Sequence, residues 1–131
     1  AAGDLLEGVA FLPALGLVPA GQPVLSEENS EGPVAVPGRL AEGAQFALRI
    51  EGDSMIEAGI EDGDYVIVRR QPTAENGEIV VARVEGGEVT CKRFERREQG
   101  IRLLPANPRY NPLEPAELEL IGVVKAVVKR V

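Results

Sequence analysis

Two β-branched runs joined through adjacent glycines constrain this chain more than any other feature. Ile79-Val80-Val81-Ala82-Arg83-Val84 and Val89-Thr90-Cys91-Lys92-Arg93-Phe94 flank Glu85-Gly86-Gly87. Branched side chains suit a pleated surface, and glycine supplies the backbone angles of a tight reversal, so the segment reads as a hairpin. The same punctuation recurs elsewhere. Phe46-Ala47-Leu48-Arg49-Ile50-Glu51 is apolar at alternate positions, the period of a half-buried strand. Asp62-Gly63-Asp64 turns into Tyr65-Val66-Ile67-Val68, and Asn76-Gly77 introduces the first arm of the hairpin. Ile101–Leu104 is a further short strand, and Leu118–Val131 is a long β-branched run broken only by Gly122.

No segment carries a long helical period; Ser54-Met55-Ile56-Glu57-Ala58 has room for a turn or two before Gly59. The expected fold is all-β: twisted antiparallel sheets with a partly closed barrel, minimal short helix and no internal repeat. Residues 1–45 are rich in Gly, Pro and Glu and read mainly as a surface loop. Short extended pieces are expected there at Leu15–Val18 and Val34–Val36.

Composition narrows the chemistry. The 131 residues suit one domain, and a net charge of -7 argues against a phosphate-binding surface. One cysteine, Cys91, cannot close an intramolecular disulfide. The absence of histidine removes the usual zinc ligand and every Ser-His or Cys-His pair. Any general base is therefore a carboxylate, a lysine or a backbone amine, and no metal or organic cofactor is expected. Val9–Ala20 is apolar, but Pro13 and Pro19 interrupt it and no Lys or Arg precedes Arg39. That pattern fits neither a secretory signal nor a membrane helix, so a cytoplasmic location without membrane contact is expected.

Ser54 is one of three serines, and unlike Ser26 and Ser30 it follows a strand and Gly52. A hydroxyl on such a bend lies beside free N–H groups at the start of a helical turn, which suits a nucleophile with an oxyanion site. The same residues also spell a capping box, with Glu57 three positions on. Lys92 is one of only three lysines among 14 basic residues. Alternation puts Lys92 on one face with Thr90 and Phe94, opposite Val89, Cys91 and Arg93. On a partly apolar face its amine could be desolvated and neutral; on a wet face it would snorkel.

A longer order of motifs bears on that choice. Gly52-Asp53-Ser54-Met55-Ile56, Gly59-Ile60, Asp62-Gly63-Asp64, Gly77-Glu78-Ile79-Val80-Val81-Ala82 and Val89-Thr90-Cys91-Lys92-Arg93 together resemble the C-terminal self-cleaving core of LexA repressors. That S24-type Ser-Lys peptidase core, with a LexA/signal-peptidase-like fold, also occurs in UmuD-type proteins and some phage repressors. The resemblance implies that Ser54 is the nucleophile and Lys92 the general base, with the backbone N–H groups of Ser54 and Met55 at the oxyanion. It also implies a substrate within the chain, the Ala20–Gly21 bond of Leu17-Val18-Pro19-Ala20-Gly21-Gln22-Pro23. Residues 1–25 would be a linker and cleavage-site segment, and residues 26–131 the catalytic and dimerisation domain.

The partners so implied are a second copy, a RecA–single-stranded-DNA filament acting as coprotease, and operator DNA reached only through an N-terminal helix-turn-helix domain outside this chain. The apolar Leu118–Val131 run, taken as an edge strand, would form the homodimer contact. Two departures stand out: Pro19 where LexA proteins commonly have Ala, and Cys91 where Val is usual. The competing assignments are a UmuD-like accessory protein of translesion synthesis and a non-catalytic dimerisation module.

Overall fold

The computed structural model describes residues 8–129. Eight strands form one sheet: β1 (Val9–Leu15), β2 (Ser30–Pro37), β3 (Phe46–Arg49), β4 (Tyr65–Arg70), β5 (Ile79–Val84), β6 (Val89–Arg97), β7 (Gly100–Leu104) and β8 (Leu118–Val128). Their order is β2-β1-β3-β4-β8-β5-β6-β7, and helix among the described residues is confined to short 3-10 turns. All pairs are antiparallel except β1–β3, which is parallel through Ala14↔Ala47 and Leu15↔Leu48. The all-β expectation holds, and the sheet is curled without closing.

Alternation explains how one sheet holds several apolar clusters. Phe46, Leu48, Val66 and Val68 point into a first cluster with Met55, Ile60, Val81 and Cys91. Their neighbours Ala47 and Ile67 face the opposite side, with Leu12, Ala14 and Val36. Val80, Ala82, Phe94, Leu103 and Val123 make a third cluster. Strands covered on both faces read as continuous apolar runs, as in Val66–Val68 and Val80–Ala82. The register of β8 slips once against β4 and once against β5, and such bulges bend and twist a strand.

Two expectations need correction. Residues 1–45 are not mainly loop, because β1 and β2 pair from Val9↔Pro37 to Leu15↔Ser30. Their apolar alternation is obscured by Pro13, Pro33 and Pro37. These are tolerated because β2 is an edge strand and the β1–β2 register slips between Pro13 and Leu15. The expected Val34–Val36 piece lies inside β2, whereas β1 ends at Leu15, so only the first residue of Leu15–Val18 is strand. Nor is the C-terminal run an edge: β8 is bonded to β4 on one side and β5 on the other. Its apolar character serves the interior of the sheet, and the edge-strand argument for a dimer contact fails. Arg130, Val131 and the first residues of the 1–25 segment lie outside the described residues.

Candidate active site

The turn carrying Ser54 is fastened from both ends. Ile50 N–H donates to the Asp64 carbonyl and Gly63 N–H to the Ile50 carbonyl, each at 2.8 Å. Gly52 N–H donates to the Asp62 carboxylate at 2.7 Å. Beneath the turn, Met55 is buried in the first cluster. From the other side comes the chain after β7: Ala106 N–H donates to the Ser54 carbonyl and Glu57 N–H to the Ala106 carbonyl, both at 2.8 Å. The Asn107 amide donates to the Asp53 carbonyl at 2.9 Å, and Tyr110 OH to the Asp53 carboxylate.

This arrangement displaces the capping-box alternative. The 3-10 turn is Ile56–Ala58, its N-cap is Met55, and no side chain caps it. The amide a Ser54 cap would need, that of Glu57, is taken by Ala106. Among the described residues, the N–H groups of Ser54 and Met55 donate to no backbone carbonyl.

Lys92 reaches the Ser54 hydroxyl from β6. Val80 lies opposite Lys92 on β5, whereas β6 meets β7 only from Arg93 onward. The Val89–Lys92 edge away from β5 is therefore outside the β7 pairing and lines a cleft. Lys92 Nζ stands 3.1 Å from Ser54 Oγ, 2.7 Å from Thr90 Oγ1 and 3.2 Å from the Cys91 carbonyl oxygen. Burial pushes the Lys92 amine below its ordinary value of 10.5. The neighbouring thiol adds no compensating charge at neutral pH, because burial pushes Cys91 up to about 12. Cys91 itself packs in the first cluster as a small apolar side chain.

These distances suit proton transfer. A neutral amine has two N–H bonds and one lone pair. Thr90 Oγ1 and the Cys91 carbonyl can accept both N–H groups, which leaves the lone pair for the Ser54 hydroxyl proton. Alternation places Thr90 on the Lys92 face without giving it a task, and nothing local in Pro105-Ala106-Asn107-Pro108 marks Asn107 as functional. Its role depends on a contact with Asp53, 54 residues away.

The structure does not bring Ala20–Gly21 to this pair. The cleft, of about 250 Å³, is lined by Ser54, Met55 and Lys92 and takes in Gly16, Leu17 and Val18. Beyond Val18 the chain turns, with Gln22 N–H donating to the Pro19 carbonyl at 3.1 Å. Gly21 N–H then donates to the Gly87 carbonyl at 3.1 Å. A Cβ on Gly87 would stand 2.6 Å from the Gly21 nitrogen, so only glycine permits this approach. Arg83 secures the turn by donating to the carbonyls of Gly87 and Gln22. Ala20 and Gly21 are exposed at the hairpin tip rather than held in the cleft.

Residues 13–125 match the Peptidase S24-like family. A LexA repressor of Nocardioides sp. is 47% identical over 130 residues, covering 98% of this chain and 52% of that protein. The LexA repressor of Streptomyces avermitilis is 47% identical over 123 residues, 93% of this chain and 52% of the relative. That of Geobacillus kaustophilus is 47% identical over 125 residues, 94% and 60% respectively. The chain thus spans about half the length of the curated relatives it matches.

Proposed function

This chain belongs to the Peptidase S24-like family, and from that premise we propose that it is the C-terminal domain of a LexA-type repressor that cuts its own Ala20–Gly21 bond. The observation that carries the reading is the 3.1 Å approach of Lys92 Nζ to Ser54 Oγ in a chain without histidine. Neutral Lys92 takes the Ser54 proton as Oγ attacks the Ala20 carbonyl carbon. The N–H groups of Ser54 and Met55 receive the developing oxyanion. As the tetrahedral intermediate collapses, the Ala20–Gly21 bond breaks and Lys92 returns its proton to the Gly21 amine. Water then attacks the Ser54 ester with Lys92 again as base, which frees the Ala20 carboxylate and restores the hydroxyl.

Because Ala20–Gly21 rests on Gly87, cutting requires the turn to leave the hairpin tip and enter the cleft. A RecA–single-stranded-DNA filament acts as coprotease by favouring the docked turn, and cleavage inactivates the repressor in the cytoplasm. The repressor works as a homodimer and meets operator DNA through a helix-turn-helix domain upstream of this chain. Residues 1–25 form the linker and cleavage-site segment, with β1 held in the sheet, and residues 26–131 the catalytic and dimerisation body. Mass spectrometry after alkaline incubation tests the reading. Fragments ending at Ala20 and starting at Gly21, absent from Ser54→Ala, support it. An intact wild-type chain would leave a non-catalytic dimerisation module instead.

A further inference from the structure

Glu31, Arg49 and Tyr65 come from three strands and meet over the residue from which the cleavage segment departs. Arg49 and Tyr65 are cross-strand partners on β3 and β4. Glu31 reaches them from β2, where the β1–β2 register slips between Pro13 and Leu15; a bulge of this kind re-aims a side chain. The Arg49 guanidinium donates Nε–H to the Glu31 carboxylate at 3.0 Å, with Nη2 2.9 Å from Oε2. Tyr65 OH donates to Glu31 Oε1 at 2.6 Å. The arginine and then the tyrosine hold the Glu31 carboxyl below its ordinary range. Arg49 also stands 3.6 Å from the Glu51 carboxylate.

The cluster lies on Gly16. A Cβ there would overlap the Glu31 carboxylate and come within 3.3 Å of Arg49 Nη2. Gly16 N–H donates to the Asn29 carbonyl at 2.8 Å, while the Asn29 side-chain amide donates to the Pro23 carbonyl at 3.3 Å. Both roots of the segment that contains Ala20–Gly21 are therefore tied down, and its tip is on Gly87. Gly16 and Arg49 line the same cleft as Ser54.

We propose that Glu31, Arg49 and Tyr65 form a positioning clamp that fixes the first root of the cleavage segment at Gly16, so that the segment enters the Ser54 cleft in one register. Among the described residues no hydrogen bond or ion pair joins the clamp to Ser54 or Lys92, so it acts through the segment it holds. Holding one end of an internal substrate confines its search and raises its effective concentration at the nucleophile. The inference rests on the self-cleavage reading and adds the part that presents the substrate.

Two variants break the clamp from opposite sides. Glu31→Gln removes the charge that holds Arg49. Gly16→Ala displaces the tip of the Glu31 side chain rather than any backbone atom. Each variant of the 131-residue chain is followed for self-cleavage from pH 7 to 11 and, separately, for labelling of Ser54 by a fluorophosphonate. Each variant should cleave about tenfold more slowly than wild type, the scale expected when a reacting group is misplaced slightly. The pH midpoint and Ser54 labelling should match wild type, and the double variant should be no slower than the slower single one, since both remove one device. Cleavage at or above the wild-type rate would overturn the clamp, as would a parallel loss of Ser54 labelling or a shifted midpoint. A wild-type chain that never cleaves would remove the self-cleavage reading and the clamp together, which is distinct from variants that match a cleaving parent.

Discussion

Lys92 Nζ lies 3.1 Å from Ser54 Oγ, and among the described residues no carboxylate forms an ion pair with it. Lys129, by contrast, pairs with Glu61 and the buried Asp64. There the carboxylates raise the lysine above its ordinary value; at Lys92 burial lowers it.

Removing either partner of the Lys92–Ser54 contact should stop self-cleavage. Ser54→Ala and Lys92→Ala are each expected to slow it by at least about a hundredfold, the low end for loss of a positioned proton acceptor or its nucleophile. The Ser54 hydroxyl bonds only Lys92 among the described side chains, so its removal should cost no more than about 1.5 kcal/mol of stability. Cleavage assays beside thermal melts separate these effects.

The rate should climb with pH and then level off. Lysine accepts a proton only when neutral, so the active fraction grows about tenfold per pH unit until Lys92 has titrated. Since burial lowers its value, the half-maximal rate should lie below pH 10.5. Lys92→Arg should be inactive throughout, because guanidinium stays charged. Single-turnover rates from pH 6 to 11 check both; a flat wild-type profile would remove lysine as base.

Thr90 should orient the base. Thr90→Val deletes the acceptor 2.7 Å from Lys92 Nζ while keeping the side-chain shape, and should slow cleavage about tenfold. Thr90→Ser keeps the hydroxyl and should retain most activity. Equal rates in the valine and serine variants would deny Thr90 any such part.

Arg83 should restrain the cleavage site. Arg83→Gln weakens the contacts that hold the Gln22 and Gly87 carbonyls, and should accelerate spontaneous cleavage by about threefold to tenfold, about 1 kcal/mol in a partly exposed bond. Time courses at one alkaline pH read this directly. A slower variant would mean that Arg83 aids docking instead of opposing it.

Much of the strand content was legible because β-branched runs alternate with Gly-rich turns, as in Ile79–Val84, Gly86-Gly87 and Val89–Phe94. The first 45 residues were less legible. The alternation of Leu12 and Ala14 is cut by Pro13, and whether proline tolerates a strand depends on its place in the sheet. The interior position of β8 was hidden for a similar reason: an apolar run reports burial, not which strands supply it.

Local order and residue chemistry determined that this chain is built of strands, lacks a histidine base, and carries a scarce lysine and a serine on a bend. Those properties belong to neighbours along the chain, where side-chain shape and periodicity act directly. Only the tertiary structure decided that Lys92 meets Ser54, that Asn107 supports the turn beside it, and that Ala20–Gly21 rests on Gly87 rather than in the cleft. Each of these is a contact between residues far apart in sequence, set by strand order, register and the absence of a Cβ at one close approach.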